Sequence, residues 1–107
     1  MPSLSSHVLD TTLGKPAEAM KLTLTCPDGS GFNLVTNADG RVSQWPDINL
    51  VTGTYQLRFH TGDYLQAHHG SQFYPFADVH FEMEEQHGHY HIPLLISPYG
   101  FSTYRGS

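Results

Sequence analysis

The strongest constraint on the fold lies in the closing stretch, HYHIPLLISPYGFSTYRGS, from His89 to Ser107. From His89 to Ser97 the side chains alternate with the two-residue period of a strand. Tyr90, Ile92, Leu94 and Ile96 share one face, and His89, His91, Pro93, Leu95 and Ser97 share the other. The first set is a core face. The second carries two imidazoles together with Leu95, which a merely solvated face would not need. Ser97-Pro98-Tyr99-Gly100 reads as a turn, because proline pre-sets one turn position and glycine accepts positive φ without steric cost. A returning strand follows, with Phe101, Thr103 and Arg105 on one side and Ser102, Tyr104 and Gly106 on the other. The terminal carboxylate of Ser107 is expected close to this tyrosine and arginine.

The same period recurs along the chain. Leu4, Ser6 and Val8 alternate with Ser5, His7 and Leu9, and Met20, Leu22, Leu24 and Cys26 alternate with Lys21, Thr23 and Thr25. Phe32, Leu34 and Thr36 mark a third strand, Arg41 to Ser43 a short fourth, Gly53 to His60 a fifth and Asp78 to Glu84 a sixth. Asp10 to Ala17, Pro27 to Gly31, Asn37 to Gly40 and Glu85 to Gly88 supply the intervening turns. Thr61 to Gly70 alone reads as helix, short and closed by a glycine at its C-terminal end. Roughly eight strands at regular spacing predict an all-β fold, an antiparallel sandwich or barrel. The 107 residues suit one domain, 1–107, which at this size buries roughly two-thirds of its unfolded surface.

Charge narrows the function. A formal net charge of −5 with five Lys and Arg provides no basic stripe for phosphates or anionic lipid, so neither nucleic acid nor membrane is an expected partner. The single cysteine, Cys26, has no intrachain disulfide partner, and its register with Leu22 and Leu24 predicts burial as a small hydrophobe. No apolar run approaches the roughly 20 residues of a membrane helix, and MPSLSSHVLD lacks the basic and apolar pattern of a secretory leader. A cytoplasmic protein is expected. Eight histidines against five basic residues point to chemistry or metal near neutral pH.

Each candidate group has a plainer reading beside its functional one. His7 alone is a surface histidine on an exposed strand face. His89 and His91, two apart on one face, have the spacing of a metal-ligand pair, but no carboxylate or cysteine accompanies them locally. His68 and His69 end the expected helix, where a protonated imidazole suits the dipole. Arg41 flanks a turn, and Arg105 reads as solvated. No nucleophile elbow, phosphate loop or dinucleotide fingerprint occurs, and nothing calls for an exposed Cys26 nucleophile.

The segments SSHVLDTTLGKPA, ADGR, TGTYQLRFHTGDY, FYPFADVHF and HYHIPLLISPYGFSTYRGS together resemble the transthyretin-related 5-hydroxyisourate hydrolases of purine degradation. The resemblance runs from about Leu4 to Ser107 and is most specific in Tyr104-Arg105-Gly106-Ser107. The hormone-carrying transthyretins share the fold and the LLSPY-like turn. They differ where this chain has His7, Arg41 and His91, and they lack the terminal YRGS. A short connection between the second and third strands departs from the family pattern, and the His68-His69 doublet lies outside it.

The resemblance implies an eight-stranded prealbumin-like sandwich, a homotetramer built as a dimer of dimers, and active sites in a central channel between subunits. It implies hydrolysis of the cyclic amide of 5-hydroxyisourate to 2-oxo-4-hydroxy-4-carboxy-5-ureidoimidazoline. His7 and His91 would activate water, with the choice between them open. Arg41 would bind the electron-rich oxygens of the planar substrate, Tyr104 would add a hydrogen bond, and Ser107 with its carboxylate would orient a histidine or the substrate. The reaction requires no metal or organic cofactor. A carrier on the same sandwich, without turnover, is the competing class, and a metal-binding protein using His7, His89 and His91 is a third.

Overall fold

A computed structural model describes residues 3–106. Eight strands and one helix succeed one another: β1 (Ser3–Asp10), β2 (Lys15–Pro16), β3 (Lys21–Thr25), β4 (Gly31–Val35), β5 (Gly53–Phe59), α1 (Thr61–His69), β6 (Ala77–Met83), β7 (His89–Ser97) and β8 (Gly100–Thr103). They form two four-stranded sheets, ordered β2-β1-β7-β8 and β4-β3-β5-β6. Val8, Leu22, Leu24, Leu57, Phe59, Leu94 and Ile96 close the space between the sheets, each about fully buried. These are the apolar positions of the period-two alternation. Cys26 packs at the edge of this core and is half-buried rather than buried, because β3 ends at Thr25.

The strand count agrees with expectation, but the membership differs. Arg41 to Ser43 does not extend into a strand and makes only single bridges, His7 to Arg41 and Thr36 to Val42. Trp45 turns back instead, its indole donating to the Val42 carbonyl at 3.0 Å, and Pro46 follows. The missing strand is replaced by Lys15–Pro16, which pairs with Leu9 and Asp10. Asp10 Oδ1 accepts the amides of Thr12 and Leu13, both at 3.0 Å, and Gly14 sits at φ 69°, so the chain reverses tightly enough for the two to align.

The expected antiparallel sandwich also has one parallel pairing, β1 with β7. The other strand pairings among the described residues are antiparallel. Alternation is the same whichever way a neighbour runs, so direction was not readable from it.

Proline shapes the end of β8. In the β7–β8 hairpin Leu94 pairs with Thr103, and the register resumes where Gly106 bridges His91, its amide donating to the His91 carbonyl at 2.8 Å. Between them Tyr104 stands opposite Pro93, which has no N–H for the ladder. The Thr103 hydroxyl takes up the Pro93 carbonyl at 2.7 Å. Helix α1 ends as its glycine dictates, with Gly70 at φ 69° and its amide donating to Gln66 O.

Candidate active site

The outer face of the β2-β1-β7-β8 sheet gathers four of the residues nominated from the sequence, His7, Arg41, His91 and Tyr104. On β1, Leu4, Ser6, Val8 and Asp10 are buried, so Ser5, His7 and Leu9 face outward. On β7, Tyr90, Ile92, Leu94 and Ile96 are buried, which leaves His91 and Leu95 half-buried on the same outer side. The parallel register sets Ser5 beside His91, His7 beside Pro93 and Leu9 beside Leu95. Arg41 bridges His7 from the other edge of β1, and Tyr104, 57% exposed, follows beyond Pro93. Arg41, His7, Pro93 and Tyr104 thus form one row across the sheet, and Ser5, His91 and Gly106 form the next.

Backbone chemistry explains Arg41. Asn37 Oδ1 accepts the amides of Asp39 and Arg41 at 2.9 and 3.1 Å, winding a tight turn. Gly40 in that turn has φ 73°, and its carbonyl accepts the Val8 amide at 2.8 Å. A Cβ there would meet Pro16 Cβ at 3.0 Å and Ala17 N at 3.3 Å. Only glycine lets the turn press this closely on β1 and deliver Arg41 next to His7. Among the described residues no carboxylate pairs with the Arg41 guanidinium.

The two histidines are held differently. His7 Nε2 lies 2.9 Å from the Asp39 carbonyl, which can only accept, so Nε2 carries the proton and neutral His7 keeps its lone pair on Nδ1. His91 Nδ1 lies 2.6 Å from Ser5 Oγ. Burial pushes the His91 imidazole below its ordinary value of 6.5, and repulsion from the Arg41 guanidinium, joined by His7 and His89 whenever they are protonated, pushes it further. The neutral form of His91 is thereby favoured near pH 7. The His91 ring also lies against Gly106, where an added Cβ would meet the ring, coming to 3.0 Å from His91 Cγ and 3.2 Å from its Cβ.

Two residues that sequence reasoning left out join the site. Ser5 Oγ also lies 2.7 Å from His89 Nε2, and Ser3 Oγ lies 2.6 Å from His89 Nδ1. Both ring nitrogens of His89 are therefore engaged by hydroxyls, and among the described residues no cluster of three or more His, Cys, Asp or Glu side chains has metal-binding geometry. The parallel β1–β7 register would have revealed this chain of contacts. Arg105 is exposed, as expected, and its guanidinium lies 4.6 Å over the Tyr90 ring rather than joining this row. Ser107 lies outside the described residues. A cavity of about 890 Å³ opens against Lys21, Thr23, Asn33 and His60 of the other sheet and reaches Asn37, but His7, Arg41, His91 and Tyr104 do not line it.

The architecture and the face define a class: a two-sheet prealbumin-like sandwich with imidazoles and a guanidinium on one outer sheet surface. The family model described as HIUase/Transthyretin matches residues 4–106, and the chain belongs to that family. It is 42% identical over 114 residues to the 5-hydroxyisourate hydrolase 2 of Rhizobium meliloti (strain 1021), covering 97% of this chain and 95% of that protein. The structure of Klebsiella pneumoniae 5-hydroxyisourate hydrolase superposes with a TM-score of 0.87 at 39% identity, over 100% of both chains. A crystal structure of (S)-allantoin synthase matches with the same TM-score at 36% identity, over 99% of this chain, which spans 44% of the synthase.

Proposed function

We infer that the chain is an enzyme hydrolysing the cyclic amide of 5-hydroxyisourate, in the degradation of urate. Relatives named for that activity match it along nearly their full length. The observation that carries the mechanism is a half-buried His91 on the same sheet face as His7, Arg41 and Tyr104, where burial and the Arg41 guanidinium favour its neutral form. An amide carbonyl is a poor electrophile, so a site must activate water and stabilise the oxyanion. A neutral imidazole takes a proton from the attacking water as its oxygen bonds to the carbonyl carbon, and a positioned general base contributes roughly 10² to 10⁴ in rate. Arg41 neutralises the negative charge on the carbonyl oxygen through paired N–H donors. The C–N bond then breaks, and the proton held on the imidazole passes to the departing ring nitrogen. His7 assists through its free Nδ1, Tyr104 donates to a substrate oxygen, and Ser107 orients these groups. No step calls for a metal or cofactor.

The assembly is a homotetramer, a dimer of dimers, with 1–107 acting as one domain. Leu9 and Leu95 form an apolar pair on the same outer face as the histidines, better covered by another subunit than by water. Strands β6 and β8 are sheet edges with open hydrogen-bonding sides, which a second copy can extend. No helix among the described residues is long and apolar enough to cross a membrane, and the cytoplasm is the proposed compartment. The test generates 5-hydroxyisourate in situ from urate and follows its ultraviolet decay. Purified protein should hasten that decay. Binding of an aromatic ligand with no change in the decay would replace the enzyme reading with a carrier.

A further inference from the structure

We propose that Ser5 and His89 are positioning residues forming a proton relay, Ser3–His89–Ser5–His91, which sets the tautomer of His91 and connects its site-facing nitrogen to solvent. The inference rests on the hydrolase reading of this face. Its basis is geometric: three consecutive contacts of 2.6, 2.7 and 2.6 Å link two hydroxyls and two imidazoles without a gap. The parallel register places Ser3 opposite His89 and Ser5 opposite His91, so one stagger of two strands generates the whole chain. Ser3 and His89 are exposed, while His91 is half-buried.

A single hydroxyl explains why the relay has two states. Ser5 has one proton to donate and lone pairs to accept with, so it donates to one imidazole and accepts from the other. In the first state His91 Nδ1–H donates to Ser5, Ser5 donates to His89 Nε2, and His89 Nδ1–H donates to Ser3. Nε2 of His91 is then a free base toward the substrate face. In the second state every proton has moved one step: Ser3 donates to His89 Nδ1, His89 Nε2–H donates to Ser5, and Ser5 donates to His91 Nδ1. Nε2 of His91 then carries a proton and acts as the acid.

The conversion balances. When His91 Nε2 takes a proton from water, the Nδ1 proton passes to Ser5, the Ser5 proton to His89 Nε2, and the His89 Nδ1 proton to Ser3. The Ser3 hydroxyl proton leaves to solvent and is replaced by the one received. Each N–H or O–H bond formed matches one broken, and neither imidazole holds a lasting positive charge. That suits a half-buried site where the Arg41 guanidinium already opposes an imidazolium. Running the relay backwards delivers the proton to the departing ring nitrogen.

The experiment measures kcat and KM on 5-hydroxyisourate for the whole protein and for Ser5→Ala, Ser5→Thr and His89→Gln, with rates in H₂O/D₂O mixtures. Ser5→Ala and His89→Gln should lower kcat about ten- to a hundredfold, within the range of general acid–base effects, with KM changed less than about twofold. Ser5→Thr keeps a hydroxyl and should recover kcat to within about threefold. The wild type should show a bowed dependence on deuterium fraction, from several protons in flight, and Ser5→Ala a straight one. Unchanged kcat in Ser5→Ala, equal loss in Ser5→Thr, or a straight dependence in the wild type would overturn the relay while leaving the hydrolase intact. A wild type that leaves the decay of 5-hydroxyisourate unchanged would remove both readings.

Discussion

Strand β1 serves two histidine clusters, one on each face, and they differ in the partner each imidazole is given. On the inner face Asp10, with a side chain 0% exposed, receives four donors: Tyr64 Oη at 2.8 Å, His69 Nε2 at 2.7 Å, and the amides of Thr12 and Leu13. Burial works against this carboxylate, but the bonds from His69, the Leu13 amide and Tyr64 outweigh it and hold Asp10 below its usual 3.8. The Tyr64 hydroxyl is pushed far up by the same burial and by the neighbouring carboxylate. On the outer face no carboxylate touches His91 among the described residues, and its partner is a hydroxyl. A carboxylate can only accept once ionised, so it fixes donor, ring and helix together. A hydroxyl donates or accepts, so the imidazole beside it can change tautomer. One cluster is a fastening between α1 and β1, and the other is the proposed site.

The largest effects should separate the two. His91→Ala or Arg41→Ala should lower kcat by roughly 10²- to 10⁴-fold in the ultraviolet assay, with little change in the urea midpoint. Asp10→Ala should do the reverse, because it strands the Tyr64 and His69 donors and two amides. Its loss of about 3 kcal/mol or more, typical of breaking a buried hydrogen-bonded pair, should appear as a lower midpoint, with kcat per folded molecule retained. Urea midpoints for His91→Ala and rates for Asp10→Ala check the division, and an inversion of the two outcomes would dissolve it. Acid sharpens the contrast. The depressed Asp10 contributes stability that is complete above pH 3.8 and is lost as pH falls through its lower folded value. The stability gap between wild type and Asp10→Asn should therefore shrink below pH 3.8, read from urea midpoints across an acid series.

These clusters also show where the sequence was legible. Period-two alternation placed Leu4, Val8, Leu22, Leu24, Leu94 and Ile96 in the core, and put His7 and His91 each on the non-core face of its own strand. Gly70 announced the helix end. The resemblance singled out Arg41 and Tyr104, which fall in one row with His7. Alternation says which face a side chain takes and nothing about which strand lies beside it. The Ser5 to His89 contact needs β1 and β7 adjacent and parallel across more than eighty residues of chain, and was invisible for that reason. Asp10 read as the start of a turn, and His69 as a helix-end charge. Their union depends on where α1 docks, and so does the 4.3 Å stacking of His68 on Tyr64.

A smaller effect tests steric support of the base. Gly106→Ala puts a methyl where the His91 ring lies, and the ring must tilt because the Gly106 amide is tied to the His91 carbonyl. A tilted imidazole misses the line to the attacking water, and positioning errors of about 1 Å cost up to ~10²-fold. The loss should fall on kcat rather than KM, with the urea midpoint almost unmoved. Equal kcat in Gly106→Ala would show that the ring is not held by this contact.

The smallest effect is a displacement along the pH axis. A general base works only when unprotonated, so kcat/KM falls as pH drops through the pKa of the free enzyme's base. Burial, then Arg41, His7 and His89, hold His91 below 6.5, so the acid limb should lie below that value. Removing the guanidinium in Arg41→Gln removes one of the opposing charges. Its acid limb should move upward toward 6.5 while burial and the two histidines keep it from arriving, whatever the overall rate. Full pH profiles of both proteins decide the matter. A wild-type limb at or above 6.5, or a limb indifferent to Arg41, would mean that the proton is taken by a group other than His91. The contrast between a fastened and a free imidazole would then need another owner on the outer face, with His7 and its open Nδ1 the next to be tested.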